Sequence, residues 1–494
     1  MMLKKIRTLL AALTFTAITL LFVDFTGTLH HWLAWLAKIQ FWPAVMALNI
    51  VVIVGLLVLT LLMGRIYCSV ICPLGIMQDL LARLRRKKNK YSYSREVRWL
   101  RYPVLVVFLV AAVAGLGSLM QLLAPYSSFG RIATMVLQPL WMLGNNVLGF
   151  LAERADSYAF YTVDVWMKSL PVLIVALVTL AVLVVLAWRG GRTYCNTICP
   201  VGTLLSFVAR FSLLKIRFDE EKCRNCSMCT RNCKASCIDY KTHTVDYSRC
   251  VVCGNCISHC KFGALKYGVK KANRTNVTDE TRGTVDSGKR SFLVATALAT
   301  TAALAQKKDK VMDGGLAELE DKAVPERQTP LTPPGSLSFQ HFAQHCTGCQ
   351  LCVSECPNDV LRPSTDLMHL MLPMMSYEHG YCRPECTRCS EVCPAGAIRL
   401  VDKDEKSSVQ IGHAVWIKKN CVVLADGVEC GNCARHCPAG AIEMVPMDED
   451  DDESPYVPAV NEEACIGCGA CEYVCPSRPF SAIIVEGHEV QKRI

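Results

Sequence analysis

The spacing of its cysteines constrains this 494-residue chain more than any other feature. Of 29 cysteines, 24 fall into six groups of four. Two groups lie upstream, Cys223-Cys226-Cys229-Cys233 and Cys250-Cys253-Cys256-Cys260. Four lie downstream: Cys346-Cys349-Cys352-Cys356, Cys382-Cys386-Cys389-Cys393, Cys421-Cys430-Cys433-Cys437 and Cys465-Cys468-Cys471-Cys475. Four of the six keep Cys-x2-Cys-x2-Cys-x3-Cys, and the other two depart from it only before their second cysteine. Such a run wraps three thiolates around one iron–sulfur cluster and lends the fourth to a neighbouring cluster. The six groups therefore predict six 4Fe–4S clusters. A disulfide scaffold can be equally rich in cysteine, but it has no reason to keep this spacing. Of the five remaining cysteines, Cys68/Cys72 and Cys195/Cys199 form a matched pair of Cys-x3-Cys-Pro elements, and Cys237 stands alone.

Long apolar stretches place the first 190 residues in a membrane. Thr8–Val23, Phe41–Met63, Val104–Leu123 and Leu170–Trp188 each reach or approach the roughly 20 apolar residues that a bilayer demands. The expected fold class is an α-helical membrane domain of four transmembrane helices, with α+β ferredoxin-like 4Fe–4S domains after it. Basic residues gather at the N-terminus (Lys4, Lys5, Arg7), in the second connection (Arg83 through Arg98) and after the fourth stretch (Arg189, Arg192). The first and third connections are poor in them. The positive-inside rule then puts the N-terminus, both Cys-x3-Cys-Pro elements and residues 189–289 in the cytoplasm. Ile132–Ala152 is also uncharged, but Pro139, Gly144, Asn145 and Asn146 interrupt it. It reads as an interfacial or re-entrant segment outside the cytoplasm, because a crossing there would separate the two Cys-x3-Cys-Pro elements.

Residues 290–306 form a further apolar run behind Lys289-Arg290. The run is either a fifth span or an export-like segment with Lys-Arg in place of a twin arginine; the bland alternative is an Ala-rich helix packed on the protein. Charge favours translocation. Residues 1–310 carry a net +24 and residues 311–494 a net −14, as expected either of two halves in different surroundings or of membrane-flanking loops that are simply basic. Four regions follow: a membrane domain (1–210), a two-cluster domain (211–275), an export-like segment with a Pro-rich linker (276–338), and a four-cluster domain (339–494), the last expected in the periplasm of a bacterial inner-membrane protein.

In the two-cluster domain, the exchange of fourth ligands predicts Cys223, Cys226, Cys229 and Cys260 around one cluster, and Cys250, Cys253, Cys256 and Cys233 around the other. Lys234 and Lys261 stand where Pro is expected, either raising the cluster potential or facing solvent. Cys237 reads as a bystander, the alternative being a substitute ligand. In the four-cluster domain the irregular second and third groups suggest a nested order. Outer would pair with outer, Cys346/Cys349/Cys352/Cys475 and Cys465/Cys468/Cys471/Cys356. Inner would pair with inner, Cys382/Cys386/Cys389/Cys437 and Cys421/Cys430/Cys433/Cys393.

Gly64-Arg65-Ile66-Tyr67-Cys68-Ser69-Val70-Ile71-Cys72-Pro73-Leu74-Gly75 recurs as Gly191-Arg192-Thr193-Tyr194-Cys195-Asn196-Thr197-Ile198-Cys199-Pro200-Val201-Gly202, identical at eight of twelve positions. Cysteines four apart share a helix face, so a twofold arrangement would bring Cys68, Cys72, Cys195 and Cys199 together as candidate redox or metal ligands; the alternative is a pair of structural elbows. No Cys-x-x-Cys-His motif is present for haem c, and no glycine-rich nucleotide fingerprint. His30 and His31 sit in the first connection, at the membrane interface rather than on a haem. The basic 83–101 segment suits anionic lipid better than nucleic acid, and the acidic run Asp448–Glu453 reads as a solvated loop.

With four helices, two Cys-x3-Cys-Pro elements and a two-cluster unit, residues 1–275 resemble the NapH/MauN membrane ferredoxins. With an export segment before four clusters, residues 285–494 resemble the NapG/MauM ferredoxins. The resemblance implies a fusion of two subunits of a quinol dehydrogenase. Such a protein would carry electrons from the quinone pool through its clusters to a periplasmic redox enzyme or cytochrome, as in a respiratory chain. Tyr126–Arg131, in the third connection, is where a quinone site would be sought. The competing reading is a membrane iron–sulfur maturation or redox-sensing factor that works through the Cys-x3-Cys-Pro thiols.

Overall fold

A computed structural model of the protein describes residues 2–84, 91–157, 159–269, 320–448, 450 and 454–494. The export-like segment 290–306, much of the basic second connection and the centre of the acidic run lie outside the described residues.

α1 (Met2–Val23) carries no charge after Arg7, and its 22 residues reach about 33 Å. α2 (His30–Lys38) and α3 (Phe41–Met46) are short, and α4 (Ile50–Met63) follows a break at Leu48, whose φ of 51° leaves the helical region. α5 (Tyr67–Val70) and α6 (Pro73–Arg83) hold the first Cys-x3-Cys-Pro element. α7 (Arg98–Val113) stops where Gly115 takes a φ of 73°, and α8 (Gly117–Leu123) resumes. α9 (Pro125–Ile132) passes through a π-turn at Ala133–Leu137 into α10 (Gln138–Glu153). α11 (Leu170–Gly190), α12 (Thr193–Thr197) and α13 (Pro200–Ala209) complete the membrane half.

Three described helices are long and apolar enough to cross a membrane: Leu3–Val23, Pro125–Glu153 and Leu170–Gly190. These do not confirm the expected count of four transmembrane helices. Two of the four stand, and Phe41–Met63 and Val104–Leu123 are each split by a residue of positive φ. The segment 132–152 belongs to one continuous 29-residue helix. The chain nonetheless returns along that helix. Asn145 and Asn146 each donate an amide N–H, at 2.8 Å, to the carbonyls of Tyr161 and Val163. Lys168 Nζ then donates to Gln138 Oε1 at 3.5 Å, so the chain comes back to the level at which α10 began.

The two-cluster domain, labelled the inner unit (the four-cluster domain being the outer domain), closes with an antiparallel pair, Lys215–Phe218 against Leu265–Gly268. The outer domain has three such pairs: Leu361–Pro363 with Pro373–Met375, Val409–Trp416 with Ile483–Arg493, and Ile442–Pro446 with Tyr456–Val460. The two cluster-bearing units sit at opposite ends of α1. The inner unit reaches Lys4 through Gly254, and Tyr267 Oη donates to the Met63 carbonyl at 2.8 Å. The outer domain reaches the connection just beyond α1, where Glu391 meets His30.

Candidate metal centres

The internal repeat folds as two copies of one device. A glycine of positive φ, Gly64 or Gly191, ends the helix that enters each copy, and a proline, Pro73 or Pro200, opens the helix that leaves it. The copies then grip each other. Arg192 Nη1 donates to the Cys68 carbonyl at 2.5 Å, and Arg65 Nη2 to the Cys195 carbonyl at 3.0 Å. Gly75 and Gly202 are required by that exchange, since a Cβ at either would strike the partner copy's arginine and the cysteine carbonyl it holds. The contact brings Cys68, Cys72, Cys195 and Cys199 together, each thiol close enough to feel its neighbours' charge. All four are 4% exposed.

Donors surround these thiols. Gln78 Nε2 lies 3.2 Å from Cys195 Sγ, the Gly202 amide 3.3 Å from Cys199 Sγ, and Arg65 Nη2 3.8 Å from Cys68 Sγ. Arg65 is fully buried, and among the described residues no carboxylate pairs with it. A buried, unpaired cation beside four buried thiols fits an anionic thiolate centre. Arg192 instead pairs with Asp79 at 2.9 Å, which also takes Arg7 at 3.2 Å and Lys234 at 3.4 Å. Burial alone would raise the Asp79 carboxyl, but Arg192, Lys234 and Arg7 outweigh it and hold it well below the usual carboxylate range. Lys234 is thus a buried tie between the inner unit and α6, while Lys261 is exposed.

In the inner unit one cavity is lined by Cys223, Cys226, Cys229 and Cys260, the exchanged set expected from the sequence. Cys253 and Cys256 sit among Cys250 and Cys233. Cys237 lies beside this set: its Sγ is 3.6 Å from that of Cys233 and faces Cys250 as well.

In the outer domain the nested pairing fails. One cavity is lined by Cys356 with Cys382, Cys386 and Cys389, another by Cys437 with Cys465, Cys468 and Cys471. The complementary sets are Cys346, Cys349 and Cys352 near Cys393, and Cys430 and Cys433 near Cys475, with Cys421 the remaining member of that group. The first group exchanges with the second and the third with the fourth. The reason is chain connectivity. A hairpin, or a strand pair, lies between each group and its sequence neighbour, and folds the two together. The irregular spacing before Cys430 merely accommodates the helix Val422–Ala425.

The first outer group docks on the membrane half through its backbone. Gln121, Ser127, Thr134 and Gln138 donate to the carbonyls of Cys346, Gly348, Gln350 and Ser354. Trp166 stacks on His379 with ring centroids 4.5 Å apart, and Arg362 lies 4.3 Å over the other ring of that contact, Trp166. Beside this seam Glu355 is buried with both carboxylate oxygens unpartnered, and burial with the nearby Asp24 charge pushes it up to about 8. Tyr126–Arg131, the segment the sequence offers for a quinone, is entirely buried. An open cleft lies nearby between α1 and α10. Its apolar part, about 430 Å³, is lined by Phe15, Leu20, Val23, Leu137 and Trp141; it adjoins a polar part of about 360 Å³ at Asp24, Thr28 and Asn145.

Residues 45–91 and 172–219 match a family model described as a 4Fe-4S binding domain. Each match contains one Cys-x3-Cys-Pro element and none of the six groups of four. Residues 428–478 and 246–360 match 4Fe-4S dicluster domains; the second match joins two groups that the fold holds at opposite ends of α1. The methylamine utilization ferredoxin-type protein MauM of Methylobacillus flagellatus is 31% identical over 165 residues, 33% of this chain and 70% of that one. The ferredoxin-type protein NapH of Escherichia coli is 29% identical over 227 residues, 44% of this chain and 66% of that one. An uncharacterized protein of Methanocaldococcus jannaschii is 26% identical over 226 residues, 44% of this chain and 70% of that one.

Proposed function

This chain belongs to the ferredoxin-type iron–sulfur proteins, uniting a NapH/MauN-like part with a NapG/MauM-like part, and from that premise we propose that it takes electrons from quinol in a bacterial inner membrane and delivers them to a periplasmic oxidoreductase or cytochrome. It is the electron-transfer component of a quinol dehydrogenase rather than a stand-alone enzyme. One observation carries this reading. Cys253 of the inner unit, Cys68, Cys72 and Cys199 of the repeat, and Cys349 of the outer domain all belong to a single packed core.

The six groups of four would hold six 4Fe–4S clusters, and the repeat's thiols a seventh metal centre; such clusters supply one-electron transfer. The chain's own residues do the rest. Arg65 and Arg192 offset thiolate charge at the repeat. The packed core excludes water between the two ends of the membrane half. The cleft between α1 and α10 offers a quinol an apolar wall for its tail and a polar end for its ring. The positive-inside rule orients the inner unit to the cytoplasm and, with both units at opposite ends of α1, the outer domain to the periplasm.

The maturation or redox-sensing alternative needs thiols that a partner can reach, and those of the repeat are 4% exposed. A double variant, Cys68→Ser with Cys195→Ser, separates the two readings. Quinol-driven reduction of the outer clusters should be lost, reduction by dithionite should remain, and the loaded chain should contain about four fewer irons. Unchanged quinol-driven reduction together with failed maturation of a partner enzyme would refute electron transfer. A reporter fused after Ile494 that is active only in the cytoplasm would refute the orientation.

A further inference from the structure

We propose that His30, His31 and Glu391 form a binding site for one divalent ion, zinc, which joins the membrane half to the outer domain. The three side chains offer ligand atoms that all lie within 4.8 Å of one another. His30 and His31 come from the connection beyond α1, and Glu391 from the helix Arg388–Val392 of the outer domain.

Hydrogen bonding fixes the chemistry. His30 Nδ1 is 2.7 Å from the Gly27 carbonyl, which can only accept, so Nδ1 carries the proton and donates. The other ring nitrogen, Nε2, faces Glu391 Oε2, 3.0 Å away. Two acceptors at that separation need a cation between them, either a proton or a metal ion. His31 decides between the two. Its ring lies on that of His30 with centroids 4.0 Å apart. A protonated His30–Glu391 pair is complete without a second imidazole, whereas a metal takes one as its third ligand. Neighbouring ligands of tetrahedral zinc, at bonds of 2.0–2.2 Å, lie about 3.4 Å apart; His30 Nε2 and Glu391 Oε2 are 3.0 Å apart, and no pair of the three ligand atoms exceeds 4.8 Å.

The outer shell fits as well. Metal-bound histidines hand their other N–H to a carbonyl, and ligating carboxylates are themselves hydrogen-bonded. Gly27 meets the first condition. Thr387 meets the second, its Oγ1 donating to Glu391 Oε1 at 2.5 Å and leaving Oε2 free to ligate. His31 is exposed, which gives the ion a route in and leaves room for a water as fourth ligand. Glu391 stands between Cys389 and Cys393, which belong to two different cysteine sets. A bound dication would therefore lock the outer domain onto the membrane half at the junction of two cluster sites.

The test uses the full chain, prepared anaerobically with its clusters in place so that cysteine thiols cannot take up zinc. The protein is washed with a mild chelator, titrated with zinc, and assayed for bound zinc and iron by elemental analysis. One tightly held zinc per chain is expected, with affinity at least tenfold weaker in His31→Ala and in Glu391→Gln at unchanged iron content. His31→Ala keeps the test decisive should Glu391→Gln disturb the domain, because His31 is exposed. Zinc uptake equal in wild type and His31→Ala overturns the site. So does a wild type that takes up none, which would leave a protonated His30–Glu391 pair.

Discussion

Asp79 is an anion shared by three cations from three elements, Arg7 of α1, Arg192 before α12 and Lys234 of the inner unit. Removing one member of a buried ion pair leaves the others uncompensated and costs about 3–5 kcal/mol. Asp79→Asn should therefore lower the thermal midpoint of the purified protein by several degrees and loosen the inner unit, detected as faster loss of iron to a chelator. The depressed carboxyl also sets a pH dependence. Its contribution is complete above the unfolded value of about 3.9 and is lost only as pH falls through the lower folded value. The gap in thermal midpoint between wild type and Asp79→Asn should thus hold steady as pH falls from 7 to about 5. Cys237 gives a second prediction at this scale. With its sulfur 3.6 Å from that of Cys233, it can replace that ligand. Cys233→Ser should keep its full iron content, while Cys233→Ser with Cys237→Ser should lose about four irons per chain.

At the scale of elements, the repeated twelve residues are one folding instruction written twice, and their glycines differ in kind from others in the same helices. Gly202 has no room for a methyl group against the Cys195 carbonyl and Arg65, so Gly202→Ala should cost about 1–3 kcal/mol and disturb the four-thiol centre. Gly55, inside α4, has open space where a methyl group would stand, with nothing within 4 Å of that point, so Gly55→Ala should stabilise by about 0.5–1 kcal/mol. Thermal unfolding of the two variants should move in opposite directions. The repeat was legible in the sequence because a paired Gly, Arg, Tyr, Cys, Pro and Gly leaves few geometries open. The membrane spans were legible only in part: apolar content says where a helix can lie, but Leu48 and Gly115 break two of them through φ, which composition does not record. Ligand pairing in the outer domain was illegible for a related reason. Spacing describes each group by itself, whereas pairing depends on the strand pairs Leu361–Pro363 with Pro373–Met375 and Ile442–Pro446 with Tyr456–Val460, which fold each group onto its sequence neighbour.

Across the whole molecule, the outer domain is held by more than its linker. Cys349, Leu351, Met371 and Val392 belong to the same packed core as α1, α9 and the repeat, and four side chains of the membrane half cap carbonyls of the first outer group. An interface that shares a core should outlast the covalent connection. The prediction is that a protease site inserted in the linker 276–338 can be cut while the outer domain remains with the membranes. Quinol-driven reduction of its clusters should also survive the cut, since the path through the core does not use the linker. Trp166→Ala removes both the stack on His379 and the seat of Arg362. Combined with Gln138→Ala, it should release the cut domain into the soluble fraction and abolish reduction by quinol while preserving reduction by dithionite. Release of the cut domain from wild-type membranes would show that the linker, not the core, holds the two halves together, and the continuous path would then lose its structural basis.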